Sequence, residues 1–419
     1  MRAKTSDIAI LGAGPIGLEA ALAAADAGMS FTVYEVGDGV GAHVRAWGHV
    51  SLFTPWDLDV SPRMADHLAA AGIKVPTGGD CPTGNELVER LLVPVATLPE
   101  LAPHIRLNTR VEAVGRQGLL KHEQIATPER GERSFRLLLA HAGAEEVAFA
   151  SAVLDCTGTY SQPNLLGDGG IPSPGERSLR RRIRRHLPDL EDERADWAGK
   201  TVLLVGAGAS AQTAARELAA LAEEVPSTRV IWSVRSSDPS WGAVTDDPLP
   251  GRAALVDSAR ILTASGSPAV QVRLGTAVAA LGATPEGRIQ VTLERLDTPF
   301  DPVGATNDSF AVDQVLALTG YVGDAGMYRQ LQVHECYATA APINLSAALL
   351  GAAAGNCLDQ VGHGLDVLHN PEPNFYILGS KSYGRVNQFL LWVGWDQVSQ
   401  VIGHLAERSA PAQAGAHSA

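Results

Sequence analysis

Thiols are scarce in this chain: four cysteines, Cys81, Cys156, Cys336 and Cys357, lie scattered among 419 residues, and no C-x-x-C occurs. Without paired or clustered cysteines, neither a disulfide framework nor a zinc site of the usual spacing is indicated. Long apolar runs are missing as well, and no stretch reaches the roughly eighteen residues of a membrane span. A basic excess is equally absent. The formal net charge is −13, the wrong sign for a nucleic-acid surface and a common device for solubility. Residues 1–7 lead directly into an apolar strand and not into the apolar core of a signal peptide. No membrane, nucleic acid or metal is expected as a partner, and a cytoplasmic protein fits. What is present is an ordinary globular composition, 45% hydrophobic and 19% charged, in a chain long enough for about two domains.

The run Asp7–Leu11 reads as a short buried strand, followed by Gly12-Ala13-Gly14-Pro15-Ile16-Gly17 and an alanine-rich helix to about Ala27. A second apolar run, Phe31–Tyr34, ends on Glu35. Strand, G-x-G-x-x-G, helix, strand and acid together are the dinucleotide fingerprint. Gly12 permits the tight turn, Gly14 lets the backbone approach a pyrophosphate, and Gly17 lets helix and strand pack closely. The helix N-terminus offers unpaired N–H groups to phosphate, and Glu35 can accept from ribose hydroxyls. Position at the front of the chain, ahead of a second such site, makes FAD the expected ligand.

That second site begins with the strand Thr201–Val205 and continues through Gly206-Ala207-Gly208-Ala209-Ser210-Ala211 into a helix, Gln212 to about Glu223. Ala211 replaces the third glycine. The next strand, Val230–Val234, ends on Arg235-Ser236 in place of an acid. A guanidinium beside hydroxyls suits a 2′-phosphate, so NADPH is the expected ligand. Two sites in one chain imply a relay in which hydride passes from nicotinamide to flavin.

Two strand-then-glycine turns, Cys156-Thr157-Gly158 and Leu318-Thr319-Gly320, mark where the chain leaves and re-enters the first domain. The expected fold is α/β: an FAD domain (1–164 and 321–406) interrupted by an NADPH domain (165–320). A small β-meander is inserted over Ile105–Ala152, and 407–419 form a disordered tail. The basic run Arg177–His186 reads as a solvated helix face, with a clamp on NADPH phosphates as its alternative.

The order of these pieces resembles the two-dinucleotide-binding-domain flavoproteins, and within them the flavin-containing monooxygenases and their bacterial relatives. The segment Pro82–Leu87 and the run Ile105–Val114 add to the likeness, which implies that the backbone at Val111 holds the FAD adenine. The blocks Trp47–Trp56 and His369–Arg385 are similar to a bacterial branch that includes flavin monooxygenases of arsenic-resistance operons. There are departures. Gly175, His186 and Trp197 are too far apart for the family's motif before the second site. Thr54-Pro55 stands where many members carry an asparagine beside the flavin, and Gly379-Ser380 where many carry Gly-Asp.

The resemblance implies an NADPH-dependent FAD monooxygenase that activates O2 and passes one oxygen atom to a small S-, N-, As- or carbonyl-containing substrate. Thr54, Trp56, Lys381 and Gln388 are the candidate catalytic residues. Arg45, Trp47 and His49 are candidates to line the flavin, with Thr157, Gly158, Gly379, Ser380 and Asn387. Trp47, Trp56, Trp392 and Trp395 could form a dry wall. The helix from Phe389 to about Leu405 would present its N-terminus to negative charge on the ring. A homodimer is compatible with all of this. One rival is a thioredoxin-reductase-like NADPH:acceptor oxidoreductase acting on disulfides or quinones, with Cys357 acting as a single thiol. The other is a non-catalytic flavin-binding sensor, which would have no use for a specific hydride donor.

Overall fold

A computed structural model describes residues 5–296, 308–351, 362–386 and 388–409. They form two compact units, Met1–Gln162 with Val322–Ala419, and Pro163–Tyr321.

In the first unit the strands are β1 (Thr5–Leu11), β2 (Phe31–Tyr34), β3 (Ile105–Arg106), β4 (Thr109–Arg116), β5 (Phe135–His141) and β6 (Ala144–Asp155). They lie in the order β3-β2-β1-β6-β5-β4, and the late strand Phe375–Ile377 also pairs with β6. The expected meander is there as β4-β5-β6, but it is continuous with the parallel sheet. β6 is long enough for both jobs. Its first part pairs antiparallel with β5, and its end runs parallel to β1 as far as Leu11 opposite Asp155. Ile105–Arg106, expected in the meander, instead extends the parallel sheet beside Val33 and Tyr34.

Helix α1 (Pro15–Asp26) connects β1 to β2, with Ala20, Ala21, Ala23 and Ala24 almost fully buried. Alanines favour helix and let it lie close to its neighbours. Here those are the sheet and the C-terminal helix Leu391–Ser409, whose Val398 and Val401 are buried in the same core. That helix starts two residues later than expected and runs on through Ser409, so 407–409 are helical; the rest of the expected tail lies outside the described residues.

The second unit carries an all-parallel sheet. Its strands are β7 (Ile183–Arg184), β8 (Thr201–Val205), β9 (Arg229–Val234), β10 (Val270–Leu274) and, after the smaller sheet, β14 (Gln314–Ala317), ordered β10-β9-β8-β14-β7. The antiparallel strands β11 (Thr276–Ala283), β12 (Ile289–Arg295) and β13 (Asp308–Val312) form the small second sheet. Helix α2 (Ala209–Glu224) follows β8. The topology is Rossmann-like in both units.

The basic run is not a helix face. After a three-residue 3-10 turn at Arg180–Arg182 it becomes the edge strand β7, with Ile183 buried. Arg185 pairs with Glu176 at 2.6 Å, Arg184 with Glu193, and Arg182 donates to the Gly287 carbonyl.

Candidate functional site

The first glycine loop is shaped by what surrounds it. Gly12 has φ +95°, and a Cβ there would sit 2.9 Å from the Cys156 carbonyl oxygen. A Cβ on Gly17 would fall inside the Gly12 carbonyl oxygen. Gly14 differs: a Cβ would meet no protein atom within 4 Å. The fold therefore needs Gly12 and Gly17, whereas the space over Gly14 is left for something else. Gly14 caps α1 without a side-chain hydrogen bond and Pro15 sits in the first turn, so the first-turn N–H groups carry no side-chain cap. Glu35, 6% exposed, accepts from the Ala13 N–H at 2.7 Å and the Gly37 N–H at 2.8 Å, tying the end of β2 to the loop.

The turn after β6 and the turn after the strand Phe375–Ile377 lie against α1 and against each other. Gly379 (φ +74°) approaches Ile16 so nearly that a Cβ would lie 3.0 Å from its Cγ1. A Cβ on Gly158 would be 3.7 Å from Ser380 Oγ. Beneath them Lys381, 2% exposed, donates to Asp155 Oδ2 at 2.6 Å, Thr157 Oγ1 at 3.1 Å and the Asp324 carbonyl at 2.7 Å. All three ammonium protons are thus used inside the fold, and its stem lies against Gly323.

Beside Pro15 opens a cavity of ≈ 200 Å³, bordered by Trp47, Thr54, Asp59, Phe389 and Trp392 together with leucine and valine side chains. Trp56, by contrast, packs in the core with the Arg90 guanidinium 4.8 Å over its ring, and neither it nor Trp395 lines the cavity. Trp47 stacks on Tyr160 with centroids 6.2 Å apart. Trp47 Nε1, His49 Nε2 and Asp59 Oδ2 are buried atoms without a hydrogen-bond partner. Asp59, absent from the sequence candidates, is 3% exposed and accepts from Thr54 Oγ1 at 2.7 Å. Burial pushes its carboxyl up to about 7, against the lowering effect of Thr54. Of the other candidates, Arg45 pairs with Glu89 at the surface. Val111 lies at an irregularity of the β4–β5 ladder, Gln388 sits in the turn before the C-terminal helix, and Asn387 lies outside the described residues.

In the second unit Gly206 has φ +133°, and a Cβ there would overlap the Leu318 carbonyl oxygen, the first residue of the Leu318-Thr319-Gly320 turn. Ala211 is fully buried, its Cβ 3.3 Å from the position a Gly206 Cβ would take. Gly208 again faces open space and caps α2 without a side-chain bond; Ala209 and Ser210 are exposed in its first turn. Past the end of β9 the Arg235 side chain is 73% exposed, with Asp168 3.9 Å away, and Ser236 Oγ accepts the Asp238 N–H. Both loops thus pair an uncapped helix N-terminus with free space over the middle glycine, which fits a dinucleotide pyrophosphate.

Three comparisons bear on this geometry. The family described as pyridine nucleotide-disulphide oxidoreductase matches residues 6–335. A search of curated proteins found no match. Among solved structures, a bacillithiol disulfide reductase from Bacillus cereus is similar at TM-score 0.68 and 17% identity, covering 97% of this chain and 100% of that one. A flavin-containing monooxygenase from Stenotrophomonas maltophilia is similar at TM-score 0.59 and 18% identity, with 97% and 100% covered. An ornithine N-hydroxylase from Kutzneria sp. 744 is similar at TM-score 0.61 and 14% identity, again with 97% and 100% covered. At these identities the likeness is one of fold. No helix among the described residues is long and apolar enough to cross a membrane, and no metal-binding cluster of His, Cys, Asp and Glu occurs among them.

Proposed function

The chain belongs to the pyridine nucleotide-disulphide oxidoreductase family, and from that premise we propose that it is an NADPH-dependent flavin monooxygenase acting on a small S-, N-, As- or carbonyl-containing substrate. It is a flavin-dependent oxidoreductase whose cofactors are FAD and NADPH, as in the family's flavoproteins. The observation that carries the oxygenase reading is the apolar, tryptophan-walled cavity at the N-terminus of α1. A dry chamber is what oxygen transfer needs, because water diverts it to peroxide. A disulfide reductase needs a nucleophilic thiolate. Cys156, beside the loop, is buried, and burial with the neighbouring Asp155 pushes its thiol far above the ordinary range, whereas hydrogen bonding with Thr339 lowers the buried Cys336 thiol. Cys357 lies outside the described residues.

In this reading FAD, when bound, takes two electrons from NADPH and delivers them to O2. The chain's own residues do the rest. Gly12, Gly14, Pro15, Ile16 and Gly17 present the α1 N-terminus to the pyrophosphate, and Glu35 meets the ribose through its remaining lone pairs. Val111 offers its backbone to the adenine. Thr157, Gly158, Gly379 and Ser380 form the floor against α1, and Lys381 is a positioning residue that holds the Asp155–Thr157 turn. Arg45, Trp47 and His49 border the flavin side, with Thr54 at the cavity's polar end. Gly206, Gly208, Ala209, Ser210 and Ala211 hold the second pyrophosphate, while Arg235 and Ser236 take the 2′-phosphate.

Two outcomes follow. Arg235→Ala should lower kcat/KM for NADPH about tenfold and leave that for NADH nearly unchanged, as expected for one solvent-exposed charge-assisted contact. Equal losses for the two nucleotides would move the 2′-phosphate elsewhere. With heavy-isotope O2, substrate turnover should place one labelled atom in product and one in water for each NADPH oxidised. Unlabelled product would remove the oxygenase reading.

A further inference from the structure

The cavity beside Pro15 contains one feature that the monooxygenase reading does not use. Asp59 ends the four-residue helix Trp56–Asp59, which turns residues 56 and 59 to its inner side. One carboxyl oxygen takes the Thr54 hydroxyl; the other is buried and has no partner. No lysine, arginine or histidine lines the cavity among the described residues. On the surrounding elements Asp57 is bonded to the Gly78 N–H, Arg90 lies over the Trp56 ring, Arg45 pairs with Glu89 and Asp396 with Gln400, while His49, on the segment between Trp47 and Thr54, keeps a buried unpartnered Nε2 but does not line the cavity. Two indoles, Trp47 and Trp392, complete the walls.

Without a counter-charge, burial holds the Asp59 carboxyl largely protonated up to about pH 7, and a cation entering the chamber would stabilise its ionised form. Indole faces favour the same charge. The size suits one ring with a short substituent, since an apolar protein cavity of about 150 Å³ takes benzene. We infer that this cavity is the substrate site and that it selects small apolar amines, the ammonium group pairing with the free oxygen of Asp59 while Thr54 holds the other. The inference rests on the proposed function for what happens after binding. At the site, Asp59 can accept a proton from the ammonium: the N–H bond breaks, an O–H bond forms on the carboxylate, and the amine is left neutral with its nitrogen lone pair free. The raised carboxyl supports this, because a group near neutrality can exchange a proton with little driving force.

The test titrates FAD-loaded protein with benzylamine, and with benzyl alcohol as its uncharged counterpart, by calorimetry and by the flavin absorption change. Benzylamine should bind at least about tenfold tighter, the usual weight of a charge-assisted contact. Asp59→Asn should abolish the preference while retaining FAD. In the unaltered protein, benzylamine should bind more tightly, with proton release, as pH rises through about 7, since the ligand requires the carboxylate. That measurement stands even where the variant does not fold. Equal affinity for the two ligands, a preference that survives Asp59→Asn, or exclusion of both ligands by bound FAD would overturn the inference. The two readings separate cleanly. Asp59-dependent binding without oxygenated product sustains this inference and sinks the monooxygenase. Turnover of benzylamine by Asp59→Asn at the original kcat/KM does the reverse.

Discussion

Gly14→Ala is expected to produce a protein that folds normally and does not hold FAD. A methyl group there meets no protein atom within 4 Å, so apoprotein stability should stay within about 1 kcal/mol, the cost of the residue change itself. The same methyl group occupies the space through which a pyrophosphate reaches the backbone, and FAD affinity should fall by on the order of 100-fold or more, about 2.7 kcal/mol. Gly17→Ala should fail differently. Its Cβ would overlap the Gly12 carbonyl oxygen, so α1 must move off the loop, with overpacking costs of about 1–3 kcal/mol and loss of cofactor as a consequence. Thermal melts of the apoproteins, paired with FAD titration, distinguish the two. A Gly14→Ala protein that keeps FAD would remove the pyrophosphate from this loop.

The largest stability effect is expected at Glu372. Its carboxylate lies between two arginines: Arg116 Nε donates to it at 2.6 Å and Arg130 Nη2 at 2.8 Å, all three side chains fully buried. The Gln332 N–H also donates to it, at 2.8 Å. Arg130 further donates to the Leu120 and Glu123 carbonyls, so the cluster joins β4, the segment after it and the approach to the last strand. Glu372→Ala would strand two guanidinium groups in the interior, and breaking a buried pair from one side costs about 3–5 kcal/mol. Denaturant unfolding should show that loss. A change under about 1 kcal/mol would mean that water reaches the cluster. Simultaneous replacement of all three by apolar residues should recover much of it, because the penalty comes from the orphaned charges and not from the missing bridge.

Both glycine loops were legible in the sequence: Gly12 and Gly206 take the positive φ that glycine favours, and Gly17 sits where a Cβ would strike the Gly12 carbonyl. Glu35 and the Leu318-Thr319-Gly320 turn followed from spacing alone. Tertiary context hid the rest. The arginines of 177–186 suggested a helix face, but Ile183 needed burial and pairing with β14, and Arg185 and Arg184 found carboxylates at Glu176 and Glu193. The sequence placed Lys381 near the flavin; the fold spends all its donors internally. Trp56 has the composition of a wall and the position of a core residue. Asp59 carried no motif at all. Its only signal was a carboxylate three residues after Trp56, which a single helical turn brings to the same buried side, while Asp57 stays at the surface.

The proposed activity turns NADPH electrons into oxygen transfer. The most direct measurement reduces the FAD-loaded protein with NADPH without air, mixes it rapidly with oxygenated buffer, and follows the flavin spectrum. A transient species distinct from both reduced and oxidised flavin, outlasting the mixing time with NADP⁺ present, is the predicted result. Single-step return to oxidised flavin, with one hydrogen peroxide released per flavin, would contradict it.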